Sequence, residues 1–324
     1  MPKRTKRVTS IDVARASGVS QATVSYVFNQ NAQQSISTET QARVRQAAAE
    51  LGYRPFAPAR MLRSGQSRLV LAVIPFEQID PGLARDLKTL EAGLVAQGFS
   101  LISYLGVHDP TGQTQLSTNL TPAVIASFVD EPDPELTAFL RQFNVPIVSM
   151  SNPNSRQAVG KSQVTYLVQQ GQRKIIFAAP ERRDVQKLAQ ARLDGVRQQC
   201  AALGLEPPLV RVIPLSRAGA QVALTQLLAQ QTPPFGICCY NDEVALAVMA
   251  ALADANIPVP EAVAVIGCDD IPLAQFSCPA LTTVHFDMGE LLGTQLENIL
   301  AASQGKLLKA VSPTPLTIIR RSSA

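Results

Sequence analysis

The chain of 324 residues contains no tryptophan, two histidines, and five cysteines without a Cys-x-x-Cys pair. An odd number of cysteines without that spacing argues against a disulfide framework and against a structural zinc site. No apolar run reaches the roughly 18 residues of a membrane-spanning helix, and no apolar segment follows the basic N-terminal residues as in a secretory signal. We therefore expect a cytoplasmic protein that makes no contact with membranes.

The motifs of common enzyme classes are also missing. The sequence has no Gly-x-Gly-x-x-Gly, no phosphate-binding loop and no His-Glu-x-x-His. Neither His108 nor His285 lies near a serine or cysteine nucleophile motif, and only the adjacent carboxylates Asp269 and Asp270 would suit acid–base chemistry. We expect no enzyme activity, no cofactor and no metal site.

Positive charge is concentrated at the start of the chain. The first 68 residues hold 11 Lys and Arg against 3 Asp and Glu, whereas the remaining residues hold 18 against 22. A basic segment joined to a mildly acidic body is typical of a polyanion-binding head on a separate globular module. Taken alone, the basic residues Lys3, Arg4, Lys6 and Arg7 would fit a solubilising tail equally well.

Residues 8 to 25 have the pattern of two short helices joined by a tight turn. Thr9 is placed to cap the first helix, with Asp12 in its first turn. Gly18 permits the positive φ of a sharp turn, and Ser20 is placed to cap a second helix that starts at Gln21. A second helix held in this way presents its N-terminal side chains to the major groove of DNA. The pattern predicts a DNA-reading head.

Two further helices are predicted before the body of the chain. Ser37 is placed to cap a helix from about Thr38 to Leu51, which Gly52 ends. Pro58 fits the first turn of a short helix. Because this helix would have only about two turns, it is not stable alone in water, and we expect it to fold only against a packing partner.

From Arg68 onward, short apolar runs alternate with helical patterns. The unbroken apolar segment from Leu69 to Pro75 is typical of a buried parallel strand. Further strands are predicted near 100–105, 124–129, 145–150, 174–178, 210–213, 236–240 and 263–267. The alternation predicts an α/β body of two lobes with parallel sheets, at about 68–150 and 151–280, followed by crossovers from 281 to 324.

Several segments of the first 67 residues resemble, in order, the LacI/GalR family of bacterial transcription regulators. They are Asp12-Val13-Ala14, Gly18-Val19-Ser20, Ala22-Thr23-Val24-Ser25, Glu50-Leu51-Gly52-Tyr53-Arg54-Pro55 and Ala59-Arg60-x-Leu62. The resemblance implies a helix-turn-helix DNA-binding domain at 1–55, a hinge helix at 56–67, and a two-lobed periplasmic-binding-protein-like body at 68–324. It also implies that the hinge helix folds on operator DNA, with Ala59 and Leu62 in the minor groove. The alternative for Leu62 is an apolar anchor onto the body.

The start of the second helix is expected to read bases. Gln21 can pair with adenine, Ala22 can touch a thymine methyl group, and Tyr26 lies one turn further on. Since the family often has a basic residue or an imidazole where this chain has Tyr26, we expect an altered operator. Small hydrogen-bonding residues are candidates for phosphate contacts, although a capping or surface role suits each equally well: Thr9, Ser20, Thr23, Asn29 and Thr40.

Three residues near the ends of predicted strands match family blocks that face an effector between the lobes. Arg192, in Arg-x-x-Gly, is the leading ligand residue because its rigid fork of donors suits hydroxyls, carboxylates or phosphates. Asn241 and Asp269 are the further candidates, with Asp242 expected to cap the helix that follows. The alternative for Arg192 is a surface salt bridge with Asp194 or Glu181.

Two departures from the family pattern concern this effector cleft. The family usually has an aspartate leading into paired glycines after Asn152, whereas residues 153–160 contain no aspartate and a single glycine. Where many sugar-responding members place an aromatic residue, this chain offers Leu215. Both departures weaken the case for a plain hexose as effector.

The combined prediction is a transcription regulator, most simply a repressor of a catabolic operon. Its affinity for a pseudo-palindromic operator would be controlled by a sugar, sugar derivative or nucleoside, and it would act as a homodimer because one recognition helix reads one half-site. No heptad pattern follows the last strand, so a coiled-coil tetramer is not expected. The alternatives are a DNA-binding regulator without an effector and a two-lobed solute-binding protein.

Overall fold

The computed structural model describes residues 8–29, 36–53, 67–106, 110–129, 134–150 and 153–324. Contacts between Cα atoms divide the chain into one unit at 1–67 and another at 68–324. The predicted hinge residues Ala59 and Leu62 lie outside the described residues, so their role stays a prediction. Within the described ranges, no helix combines the length and the apolar character needed to cross a membrane.

The N-terminal unit contains three helices, α1 (Ser10–Ser17), α2 (Gln21–Asn29) and α3 (Thr38–Glu50). The Asp12 carboxylate accepts a hydrogen bond from the Thr9 amide at 2.8 Å, which fixes the start of α1. Gly18 ends this helix with φ of +66°. The predicted caps of α2 and α3 are both present, since Ser20 accepts from the Thr23 amide and Ser37 from the Thr40 amide. The helices enclose an apolar core of Val13, Ala14, Val24, Val27, Val44, Ala47 and Ala48.

The first lobe of the body, lobe 1, is built on a four-stranded parallel sheet. Its strands are β1 (Leu69–Ile74), β2 (Ser100–Leu105), β3 (Val124–Ser127) and β4 (Ile147–Ser149), in the order β2-β1-β3-β4. The connecting helices are α4 (Pro81–Ala96), α5 (Pro110–Asn119) and α6 (Pro134–Gln142). Asp80 caps α4 by accepting a hydrogen bond from the Leu83 amide. All four strands were predicted from their apolar runs.

The second lobe, lobe 2, contains a six-stranded sheet in the order β10-β9-β8-β7-β5-β6. Its strands are β5 (Ile175–Pro180), β6 (Leu209–Ile213), β7 (Phe235–Cys239), β8 (Val263–Cys268), β9 (Thr282–Phe286) and β10 (Leu316–Ile319). Its helices are α7 (Pro153–Gln169), α8 (Gln186–Ala202), α9 (Arg217–Leu228) and α10 (Asp242–Asp254), with a 3₁₀ turn at Pro272–Phe276. Only β10 is antiparallel to its neighbour. The carboxyl ends of β5, β7 and β8 therefore lie side by side at one edge of the sheet.

The last part of the chain crosses between the lobes, as predicted for residues 281 to 324, but lobe 2 does not end at residue 280. Helix α11 (Gly289–Ser303) returns to lobe 1, where Ile299 and Ala302 share an apolar core with Val70, Leu90 and Leu94. The chain then crosses again and adds β10 to lobe 2. Lobe 2 consequently extends past residue 280, and the chain crosses between the lobes three times: before α7, before α11 and before β10.

Candidate functional site

The exposed start of α2 carries the three residues predicted to read bases. Gln21 and Ala22 are exposed, and Tyr26 is partly buried one turn further along. The Gln21 amide nitrogen Nε2 donates a hydrogen bond to Ser10 Oγ at 2.9 Å, across the gap between the first turns of α1 and α2. This bond restricts the orientation of the Gln21 carboxamide, and the sequence offered no signal for it because the two residues are eleven positions apart.

The residues predicted to contact the DNA backbone have local partners in the head. Four of the five use their hydroxyl groups in hydrogen bonds within it: Thr9, Ser20, Thr23 and Thr40. For example, Thr9 Oγ1 donates to Asp12 Oδ2 at 2.7 Å. Asn29 belongs to α2, but its side chain lies outside the described part of the structure. The Ser20 hydroxyl caps α2, the hydroxyls of Thr23 and Thr40 bond to capping serines, and contact with phosphate stays a prediction.

Arg192 lies on α8 between the two lobes, in the region that we call the cleft. Its side chain is about 10% exposed, Nη1 donates to the backbone carbonyl of Tyr240, and Nη2 lies 3.2 Å from Asp269 Oδ1. The guanidinium carbon stands 4.7 Å from the centre of the Tyr240 ring and 5.9 Å from that of Phe286. Burial opposes the positive charge, but the negative groups around it, Asp269 included, raise the pKa of Arg192 above its usual value. The predicted alternative partners, Asp194 and Glu181, do not pair with it in the described structure.

Asp269 joins the cleft from the carboxyl end of β8, with φ of +102°. Its Oδ1 also accepts a weak hydrogen bond from the Cys268 thiol at 3.2 Å. Gly82 of α4 faces it across the cleft, where an added Cβ would lie 3.4 Å from Asp269 Cβ. Arg85, on the same helix of lobe 1, approaches the Asp269 carbonyl oxygen at 3.5 Å. The structure thus brings two of the predicted effector residues, Arg192 and Asp269, into one buried ion pair.

The third predicted effector residue, Asn241, has a different local role from the one expected. Its side-chain oxygen accepts a hydrogen bond from the Val244 amide at 3.0 Å, so Asn241 and not Asp242 caps α10. Asp242 instead accepts from the Ile271 amide at 2.8 Å and from the Thr283 hydroxyl. Both residues are suitable caps, and the hydrogen bonds that Asp242 accepts from Ile271 and Thr283 separate them. Burial raises the pKa of Asp242 to about 7.

Two polar contacts at the mouth of the cleft hold the lobes together and were missed by the sequence analysis. Asp184 of lobe 2 accepts a hydrogen bond from the Glu77 amide of lobe 1 at 3.0 Å. Arg182, paired with Asp184, donates to the Gln78 carbonyl oxygen at 3.2 Å. Arg182 and Asp184 both follow the end of β5, and this position is the only feature of the sequence that could have pointed to the cleft. It is not specific, because polar residues after a strand are also typical of an ordinary loop.

Two carboxylates of lobe 1, those of Asp80 and Asp86, lie close enough to Asp269 to feel its negative charge. Burial is the main cause that raises the pKa of Asp80, and the negative charge of Asp269 adds to it. Burial also raises the pKa of Asp86 from 3.8 to about 6, against the favourable charge of neighbouring Arg85. The cleft is therefore lined by acidic and basic groups in close opposition. Across the described residues, no cluster of His, Cys, Asp or Glu is arranged to hold a metal ion.

Replacing Asp86 by asparagine is expected to stabilise the body above pH 6. Since the folded carboxyl group binds its proton more tightly than the unfolded one, the free energy of unfolding falls as the pH rises from 3.8 to about 6. The uncharged variant should gain about 1 to 3 kcal/mol at about pH 8 and nothing below about pH 3.5. Urea unfolding across this range measures the gain. A gain of the same size at every pH, or the same profile in the partly exposed Asp194→Asn, would contradict the assignment.

Known proteins resemble both parts of the chain. Residues 10–55 match the family described as bacterial regulatory proteins of the lacI family, and residues 164–324 match the periplasmic binding protein-like domain. The chain is 26% identical to the HTH-type transcriptional repressor PurR of Haemophilus influenzae, over 96% of this chain and 97% of that protein. It is 27% identical to the HTH-type transcriptional repressor CytR of Escherichia coli, over 87% and 86% of the two chains. Both relatives are repressors and not enzymes.

A solved structure matches nearly the whole length of the chain. The chain is similar to the lac repressor dimer bound to operator and the anti-inducer ONPF, with a TM-score of 0.79 and 25% sequence identity. The match covers 98% of this chain and 99% of the other. A helix-turn-helix head and a two-lobed α/β body are thus combined in one known architecture.

Proposed function

This chain belongs to the LacI/GalR family of bacterial transcription regulators, and from that premise we propose that it is a repressor controlled by a small effector. It would bind a pseudo-palindromic operator as a homodimer, since each chain has one recognition helix and reads one half-site. Operator binding implies a cytoplasmic location. We further propose that its target is a catabolic operon and that the effector is a sugar, a sugar derivative or a nucleoside.

The observation that carries this proposal is the exposed, capped N-terminus of α2. Ser20 fixes the first turn of α2 by accepting a hydrogen bond from the Thr23 amide. The positive φ of Gly18 permits the tight turn between α1 and α2. Gln21 and Ala22 are then left exposed at the end of the helix that enters the major groove in such heads. The excess of 11 Lys and Arg over 3 Asp and Glu in the first 68 residues supports attraction to DNA phosphates.

The cleft supports control by an effector. Arg192 on α8 and Asp269 at the carboxyl end of β8 meet between the two lobes, where ligands of open α/β proteins commonly bind. Hydroxyl groups of an effector would compete for the donors of Arg192 and for the carboxylate of Asp269. Binding would then change the contacts between the lobes, including those of Arg182 and Asp184.

A second candidate is a regulator that needs no effector. One observation favours it, because Arg192 and Asp269 already satisfy each other and both nitrogen atoms at the tip of Arg192 have partners. In this case the ion pair would hold the lobes in a fixed arrangement. A two-lobed solute-binding protein is a weaker alternative, since it would have no use for residues 10–55.

Operator affinity distinguishes these candidates. A duplex selected from random sequence would be titrated by fluorescence anisotropy at fixed salt, with and without sugars, sugar acids, sugar phosphates and nucleosides. A compound that shifts the affinity several-fold supports an effector-gated regulator, and the direction of the shift gives its sign. Tight palindrome binding that no compound alters favours the effector-free candidate. Failure to select any sequence over random duplex would overturn the proposed function itself.

Ser10→Ala is expected to weaken discrimination at the base pair read by Gln21. Without the hydrogen bond from Gln21 Nε2 to Ser10 Oγ, the long Gln21 side chain regains rotamer freedom, and the preference for the cognate base should fall by about 3- to 10-fold. Anisotropy on duplexes with each of the four base pairs at that position measures the preference. Binding to random duplex should not change, and Thr38→Ala at the start of α3 serves as the control. An unchanged base preference would show that the bond has no part in recognition.

A further inference from the structure

The predicted effector residue Asp269 lies in an uncommon backbone turn. Asp269 and Asp270, which directly follow β8, both have positive φ, at +102° and +48°. Residues other than glycine adopt such conformations at a cost in free energy, and these turns persist only where neighbouring groups hold them. The position of the Asp269 carboxylate therefore depends on the groups that fix the turn.

Hydrogen bonds from three parts of lobe 2 fix this turn. The Asp269 amide donates to a backbone carbonyl oxygen of β9 at 2.8 Å. Arg321, near the end of the sequence, donates to the Asp270 carboxylate at 2.8 Å. The Ile271 amide donates to Oδ2 of Asp242 at 2.8 Å. This last bond ties the turn to the start of α10.

Asp242 is held firmly enough to serve as an anchor. Its side chain is fully buried, and its Oδ1 accepts a hydrogen bond from the Thr283 hydroxyl of β9 at 2.5 Å. A Cβ atom at Gly267 would overlap this same oxygen, so the glycine makes room for the carboxylate beside β8. The carboxylate is thus enclosed by β8 and β9, with its second oxygen on the Ile271 amide.

The segment that contains Asp242 also contacts the other member of the ion pair. Tyr240, two residues earlier, accepts a hydrogen bond from Arg192 Nη1 through its backbone carbonyl. Capping of α10 does not account for Asp242, because Asn241 supplies the cap. Burial raises the pKa of Asp242 to about 7, so its charge disfavours the folded state above that pH. Neither helix capping nor favourable burial of charge thus explains a carboxylate here.

We propose that Asp242 is the positioning residue of the effector site, holding the turn at Asp269 so that the Asp269 carboxylate meets Arg192. This inference rests on the proposed function, because it assigns a role within that same cleft. Asp242 is fully buried and acts through the Ile271 amide, without touching the effector itself. The junction of β7 and α10 then orients both members of the ion pair from the buried side of the site.

A double-mutant cycle of Arg192→Ala and Asp269→Asn tests this role without an effector. Urea unfolding of the full chain, of both single variants and of the double variant gives the coupling between the two side chains. In an Asp242→Ala background, the coupling should fall by about half or more, because the turn loses its bond to α10. Asp242→Asn should restore most of it, since an amide can accept from Ile271 and donate to Thr283.

Asn298→Ala on α11 is the matched control. Asn298 is buried and holds the backbone of Lys309 by hydrogen bonds of 2.7 and 3.1 Å, so its loss removes buried polar contacts outside the cleft. The coupling between Arg192 and Asp269 should not change in this background. An equal loss in Asn298→Ala, or an unchanged coupling in Asp242→Ala, would overturn the inference. Should Asp242→Ala fail to fold, Thr283→Val decides, because it removes the donor to Asp242 Oδ1, and an unchanged coupling then contradicts the anchor.

The cycle separates a failure of this inference from a failure of the proposed function, because it needs neither effector nor DNA. In operator titrations with the sugars, sugar acids, sugar phosphates and nucleosides, the half-effective concentration of an active compound should rise about 10-fold in Asp242→Ala. A panel without an active compound would count against control by an effector, and the coupling would still decide the role of Asp242.

Discussion

Gly195→Ala is expected to destabilise the body by about 2 to 4 kcal/mol. In an exposed helix the same change is favourable, because alanine has the higher helix propensity. At Gly195, however, the new Cβ would overlap the carbonyl oxygen of Gln157, which is backbone and cannot rotate away. The helices α7 and α8 would have to separate, and the apolar contacts that surround their crossing, such as those of Val159 and Val196, would loosen.

Gly293→Ala on α11 is the matched control. Apart from its own helix, no atom of the described residues lies within 4 Å of a Cβ built at this position, so the substitution should stabilise the protein by about 0.5 to 1 kcal/mol. Urea unfolding of both variants, followed by circular dichroism, shows whether each substitution raises or lowers the free energy of unfolding. Stabilisation of both variants would contradict the close backbone contact between α7 and α8. Effector binding in Gly195→Ala should also weaken, because the backbone of Arg192 lies at this crossing.

Arg192→Ala is expected to remove the effector response and to destabilise the body by about 3 kcal/mol. The variant leaves the Asp269 carboxylate without its main cation in a largely buried position, with an exposed fraction of about 15%. It also removes the stacking of the guanidinium on Tyr240. Operator anisotropy with effector and urea unfolding without effector measure the two losses separately.

Two further variants identify the cause of the instability. Arg192→Ala combined with Asp269→Asn should be more stable than Arg192→Ala alone, because the unpaired charge is no longer buried. Arg197→Ala, one turn or so further along α8, removes an exposed partner of Asp194 and should change stability by less than about 1 kcal/mol. A double variant as unstable as the single one would indicate that Arg192 acts through packing and not through its charge.

The sequence predicted those parts of the fold that depend on local patterns. Unbroken apolar runs located β1 and β8 to within a residue or two, and Thr9, Ser20 and Ser37 were correctly predicted as caps. The return of α11 to lobe 1 was missed, because an amphipathic helix shows which of its faces is buried but not which lobe buries it.

The cleft could be predicted only in part for a similar reason. Asp269 could be placed at this edge because parallel strands end together, whereas Arg192 lies on α8 and reaches Asp269 through the packing of that helix. The capping of α10 by Asn241 instead of Asp242 could not be foreseen, since both side chains can cap a helix and the choice depends on Thr283, far away in sequence. Arg182 was missed because a single arginine near the end of an element is ordinary until its three-dimensional neighbours are known.

The three passages of the chain between the lobes have a consequence for protein engineering. Lobe 1 is completed by α11, and lobe 2 by β10, so neither lobe is one continuous stretch of sequence. A chimaera in which lobe 2 comes from a donor protein and lobe 1 from this chain needs three junctions. Residues 289–303 are then kept from this chain, and residues 316–319 are taken from the donor. A single junction near residue 150 would instead set a foreign Ile299 against the native Val70 and leave a mismatched core.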